Sequence, residues 1–146
     1  MSIINVVGAK IWGGGEQYVY DICKQLQQRH RTAYILVDQS NEDMQSRYAQ
    51  VGHVMTANLY TLKGFLSVNA VAKQMKAQGI NTIVCHSGKY ILFCIALKQL
   101  TGAKLVFIKH NLVPGKTDMY HRWINAQVDA FVCVSKLVYD DLMTPV

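Results

Sequence analysis

The 146-residue sequence predicts an α/β domain built on a parallel sheet with helices on both faces. Three features carry that reading: short, near-continuous apolar segments rich in β-branched residues, segments between them with apolar residues at helical spacing, and regular alternation of the two. A strand wet on one face alternates apolar with polar residues, whereas one covered on both faces is apolar throughout, as "TAYILV" and "AFVCV" largely are.

The first strand is "IINVV" (3–7). Val19, Ile22, Cys23 and Leu26 then fall at i, i+3, i+4 and i+7, the stripe of an amphipathic helix. "TAYILV" (32–37) is the second strand, followed by a polar stretch "DQSNEDMQSR" (38–47) and a weak third strand "GHVMTA" (52–57). Leu62, Phe65, Leu66, Val68, Ala72 and Met75 predict a helix that Gly79 closes. "INTIVCH" (80–86) is a buried fourth strand, "KYILFCIALKQLTG" (89–102) a largely apolar helix stopped by its glycine, and "AKLVFIKH" (103–110) the fifth strand. A loop with Pro114 and Gly115 leads to a helix near Asp118 to Gln127, the strand "AFVCV" (130–134) and a last helix from Ser135. Such an order is that of a Rossmann-like domain.

The length is that of one domain, and a chain of this size buries roughly 70% of its unfolded surface. Apolar residues make up 51% and charged residues 16%, a globular balance, and no apolar stretch is long enough to cross a bilayer. The N-terminus has no basic leader and no small-residue cleavage site, so it reads as a strand and the protein as cytoplasmic. Cys23, Cys85, Cys94 and Cys133 form no C-x-x-C pair, and the two nearest histidines, His110 and His121, lack helical ligand spacing; no metal is expected.

The net charge of +6 is unevenly spread. Arg47, Lys63, Lys73, Lys76, Lys89, Lys98, Lys104, Lys109 and Lys116 lie in a stretch, 44–117, without a single acid. Such a segment attracts phosphates or anionic head groups, or simply forms a solvated face. No RNP-like, zinc-finger or helix-turn-helix pattern accompanies it, so nucleic acid is not the expected partner.

In doubly wound sheets ligands sit beyond the carboxyl ends of the strands. That rule selects Lys10, Trp12 and Gly13 to Gly15 after the first strand, His86 and Ser87 after the fourth, His110 and Asn111 after the fifth, and Ser135 and Lys136 after the sixth. Glycines that open a helix let its N–H groups approach an anion closely. "GAKIWGGGEQ" is neither G-x-G-x-x-G nor G-x-x-x-x-G-K-[ST], so the dinucleotide and P-loop readings lack their defining residues. Glu16 would stabilise the first helical turn through the macrodipole whatever the loop binds.

The order strand, G-G-x-E turn, helix, strand resembles the N-terminal domain of family 4 glycosyltransferases, retaining enzymes of the GT-B fold. The turn reads Gly13, Gly14, Gly15 and Glu16 here, and the strands ending in His86, in "KLVFIKHN" and in "VDAFVCVSK" follow in the same order. The resemblance implies transfer of a sugar from a nucleotide-sugar donor to a polysaccharide, lipid-linked or other glycan acceptor, without a metal or other cofactor. It implies that Gly13, Gly14 and Gly15 meet the donor diphosphate and that His110 lies near the donor sugar as the catalytic candidate. His86, Asn111 and Ser135 become cleft or acceptor candidates. Peripheral contact with an anionic membrane, at the inner face of the plasma membrane, is a further implication, the alternative being a helix simply packed on the sheet.

Two departures follow from the same comparison. The family's R-G-H-like turn after the first helix is Arg29, His30 and Arg31 here. The family's C-terminal domain, with two glutamates seven residues apart, has no counterpart in residues 1–146, so the chain by itself is expected to have little or no transferase activity. Two other classes stay open at this point: a dinucleotide-binding oxidoreductase domain using Asp38, and a non-catalytic module that docks on a membrane or partner.

Overall fold

A computed structural model of the chain describes residues 2–8, 11–60, 65–109 and 119–133. Six strands, β1 (Ile3–Val7), β2 (Tyr34–Asp38), β3 (His53–Ala57), β4 (Thr82–Cys85), β5 (Lys104–Lys109) and β6 (Ala130–Cys133), form one sheet in the order β3-β2-β1-β4-β5-β6. Every adjacent pair is parallel. The connections run through α1 (Gly14–Gln28), α2 (Glu42–Ala49), α3 (Phe65–Gln78), a 3-10 turn at Gly88–Tyr90 leading into α4 (Ile91–Thr101), and α5 (Met119–Gln127). The last predicted helix, from Ser135, lies outside the described residues.

Successive side chains of a strand point to opposite faces, and the core divides accordingly. Ile4 and Val6 of β1 join Leu36, Ile83, Cys85 and Leu105 beneath α3 and α4, whose Val71, Met75, Phe93 and Leu97 close that layer. Val7 joins Ile35 and Val37 beneath α1 and α2, which contribute Val19, Cys23, Met44 and Tyr48. Both faces are therefore covered, as the unbroken apolar strands require.

The polar stretch 38–47 holds a helix that its composition conceals. Asn41 caps α2, its side chain accepting the Met44 N–H at 3.0 Å, and Glu42 and Asp43 sit in the first turn, where carboxylates are favourable. The apolar members of the buried face are Met44, Tyr48 and Val51. Two of these three lie beyond the polar stretch, so the helical period becomes visible only across its end.

α1 ends where the sequence has Arg29, His30 and Arg31. His30 N–H bonds the Gln27 carbonyl at 3.0 Å and Arg31 N–H the Leu26 carbonyl at 2.9 Å, the paired bonds of a Schellman ending. That ending needs a left-handed residue, and His30 supplies it with φ of 58°. A residue with a Cβ loses about 1–2 kcal/mol there, partly offset by the extra freedom glycine has in the unfolded chain. His30→Gly is therefore expected to raise stability by about 0.5–1 kcal/mol, read as a higher urea midpoint at unchanged slope. A lower midpoint would show that the histidine side chain makes up for its backbone.

The far side of the sheet is tied at its amino edge. Asp129 accepts the Leu105 N–H at 2.7 Å and pairs with Lys98 at 3.1 Å, joining the start of β5, the approach to β6 and α4.

Candidate functional site

The strand order reverses at β1: the chain moves outward through β2 and β3, then returns to place β4 on the other flank of β1. All carboxyl ends face one edge because all pairs are parallel, and the crevice of such a sheet opens there, between β1 and β4. Gly8, the turn Ile11–Gly15, His86 and Ser87 gather at this point.

Gly13 is the N-cap of α1, extended at φ −139° and ψ −164°, and its N–H donates to Glu16 Oε2 at 3.1 Å. Glu16 is thus a capping residue, closing the turn from its third helical position. The first intrahelical bond runs from Gln17 N–H to the Gly13 carbonyl at 3.0 Å, so the N–H groups of Gly14, Gly15 and Glu16 precede the helical ladder and point out of its positive end.

Neither backbone strain nor packing among the described residues calls for glycine at positions 13 and 14. A Cβ on Gly14 would meet nothing within 4 Å, and one on Gly13 only the Glu16 carboxylate at 3.4 Å. The Cβ side of Gly14 therefore faces open space. Gly8 is the reverse case: a Cβ there would lie 2.9 Å from both Leu59 Cδ1 and Tyr90 Cδ1, so its glycine is dictated by internal packing.

An aromatic wall holds the other end of the turn. Trp12 packs on Tyr48 at 5.2 Å and Tyr20 at 5.9 Å between centroids, carries the Arg47 guanidinium 4.8 Å above its ring, and donates from Nε1 to Gln17 at 3.1 Å. The fully buried Tyr48 donates its hydroxyl to the Glu16 carbonyl at 2.9 Å. Burial first, and the nearby Glu16 carboxylate after it, push the Tyr48 phenol far up, so it stays a donor at any physiological pH.

His86, half-buried at the end of β4, places Nε2 3.0 Å from Asn5 Oδ1. Asn5 pairs in register with Val84, two residues before His86, so both polar side chains lie on the face of the sheet that carries α1. Ser87 caps the following 3-10 turn by accepting the Lys89 N–H at 3.2 Å. Asn5 escaped the sequence reading, although a polar residue inside "IINVV" was its visible signal. Gly8, Tyr60 and Tyr90 escaped it as well, and only the fold brings them together.

Of the residues selected from the sequence, the turn Gly13 to Gly15 and His86 stand at the same crevice. His110, Asn111, Ser135, Lys10 and Lys136 lie outside the described residues. Asp38, the acid that a dinucleotide reading would use, is buried and already engaged: it accepts the Leu59 N–H at 3.0 Å, the Ser40 N–H at 3.2 Å and the Ser40 hydroxyl. Burial pushes the Cys23 thiol up to about 12 and the Cys94 thiol well up, the latter also through a hydrogen bond with Cys85, so both stay protonated and inert. Among the described residues no three His, Cys, Asp or Glu side chains cluster as a metal site would require, and no helix is long and apolar enough to cross a membrane.

The family model for Glycosyltransferase Family 4 matches residues 12–145. No curated protein sequence matches the chain significantly. Among solved structures, a glycosyltransferase from Rickettsia africae ESF-5 is similar over 99% of the chain, with a TM-score of 0.81 at 18% identity. HepE from Anabaena, solved in complex with UDP, follows over 98% with a TM-score of 0.70 at 16% identity. MurG from Acinetobacter baumannii follows over 94% with a TM-score of 0.67 at 11% identity. The chain spans 39%, 40% and 43% of the lengths of these three proteins. With the family model matched over nearly its whole length and the doubly wound sheet shared with these structures, the chain belongs to Glycosyltransferase Family 4 and has the Rossmann-like fold of the N-terminal half of a GT-B enzyme.

Proposed function

We propose that this domain forms the acceptor-side wall of a sugar-transferring site, in which Gly13, Gly14 and Gly15 meet the diphosphate of a nucleotide-sugar donor. The observation that carries the proposal is the turn itself: Gly13 and Gly14, which the described packing does not require, open a helix whose first N–H groups precede its ladder. Such an N-terminus suits a diphosphate, since aligned peptide dipoles and unbonded donors converge on one anion. A UDP-sugar is the donor class, supported by family membership and by the similarity to HepE, which has been solved with UDP and with UDP-glucose.

The partner is a second Rossmann-like domain that closes over the donor, because transfer needs both walls for positioning. His110 directly follows β5 and would donate to a donor hydroxyl or steady the leaving phosphate, with Asn111, His86 and Ser135 lining the cleft. A polysaccharide, lipid-linked or other glycan acceptor, a cytoplasmic site of action and peripheral contact with anionic membrane through the basic stretch complete the reading. No metal or cofactor takes part in it. The oxidoreductase alternative loses support, because the Asp38 carboxylate already serves Leu59 and Ser40.

Joined to a donor-binding domain of its family and offered a nucleotide-sugar panel with glycan and lipid-linked acceptors, the domain is expected to transfer at least one sugar. His110→Ala is expected to lower kcat while leaving UDP affinity in place. Transfer from none of the donors, or full turnover without His110, would count against these assignments.

A further inference from the structure

We propose that Tyr60 is a positioning residue for the glycine turn, setting through Gly8 the direction in which the chain leaves β1. The inference rests on the reading of that turn as a phosphate site and names a residue that shapes it.

Gly8 is held on three sides. Leu59 and Tyr90 fill the space beside its α-carbon, where a Cβ would come within 2.9 Å of each. Tyr60 supplies the third hold, its hydroxyl donating to the Gly8 carbonyl oxygen. A carbonyl held in this way fixes Gly8 at the tip of β1, the last described position before the turn 11–15 that carries the glycines.

The turn beyond β3 is constructed to deliver this hydroxyl. Gln39 N–H bonds the Ala57 carbonyl at 2.9 Å, Leu59 N–H bonds Asp38 Oδ1 at 3.0 Å, and Tyr60 N–H bonds Asn58 Oδ1 at 3.2 Å. Asp38 is itself buried at the tip of β2, so the tips of β2 and β3 are tied through one carboxylate. The Tyr60 ring stands edge-on to Tyr90, 6.4 Å between centroids, and Tyr90 packs on Gly8. Tyr60 is 44% exposed, yet its hydroxyl donates to a backbone carbonyl. Leu59 and Tyr60, held by Asp38 of β2, and Tyr90 of the turn before α4 thus meet at Gly8, the residue that follows β1.

Tyr60→Phe removes the hydroxyl and keeps the ring, and amide NMR of the 146-residue chain reads the result at each position. The amide resonances of Gly13, Gly14, Gly15 and Glu16 are expected to move and their order parameters to fall, with α3 and α4 unaffected and Tm nearly constant. The Kd for UDP is expected to rise about fivefold, the scale of one net hydrogen bond. Unchanged glycine-turn amides in the ligand-free variant overturn the proposal, whether or not UDP binds. Perturbed amides in a chain that never binds UDP at the turn uphold the Tyr60 role and overturn the phosphate reading alone.

Discussion

Gly14→Val is expected to raise the Kd for UDP at least about a hundredfold while the domain stays folded, because two charge-assisted amide bonds contribute about 1.5–3 kcal/mol each and valine obstructs both. The fold tolerates the change on geometric grounds: a Cβ at residue 14 meets nothing within 4 Å, and Gly14 lies in the first turn of α1. The branched side chain instead projects into the open space beside the Gly14 α-carbon, where it would meet a diphosphate held by the turn. Calorimetric titration with UDP measures the first effect, and thermal unfolding the second. Retained affinity at unchanged Tm would remove the turn from the donor site.

Tyr48→Ala is expected to cost about 3–5 kcal/mol of stability, the range for removing a large aromatic side chain from a core. Tyr48 is fully buried between α1 and α2, touches Trp12, and bonds the Glu16 carbonyl. A domain of ordinary stability has only about 5–15 kcal/mol in total, so the loss approaches the threshold of folding. Tyr48→Phe separates the two contributions, keeping the ring and removing about 1 kcal/mol with the hydroxyl. Urea unfolding of both variants checks the ordering; equal midpoints would mean that the ring, not the hydroxyl, is dispensable, contrary to its burial.

The strands were legible because burial on both faces leaves a period-free apolar signature that few other elements share. α2 was not, since its capping residue and acidic first turn make the stretch polar before Met44 and Tyr48 appear at helical spacing. The glycine turn was legible as an interruption between a strand and a helix. What the sequence could not show is which glycines internal packing requires and which it does not. Gly8 and Gly14 look alike as letters, yet one is wedged between Leu59 and Tyr90 and the other faces open space. The same holds for the polar groups around them. Tyr60 is distant from Gly8 in sequence, as is the Asp38 that holds the adjoining Leu59, and their meeting near it comes from the parallel order of β1, β2 and β3. Asp38 also shows how a residue type misleads: an acid ending the second strand fits a ribose-binding role until its acceptor positions are found engaged by Leu59 and Ser40.

Titration of the isotope-labelled chain with UDP, followed by amide NMR, tests the central claim most directly. The account predicts that the amide resonances of Gly14, Gly15 and Glu16 move progressively and saturate, and that Gly14→Val suppresses the response. Shifts confined to the basic face of α3, around Lys73 and Lys76, or no saturable shift at the glycine turn, would contradict it.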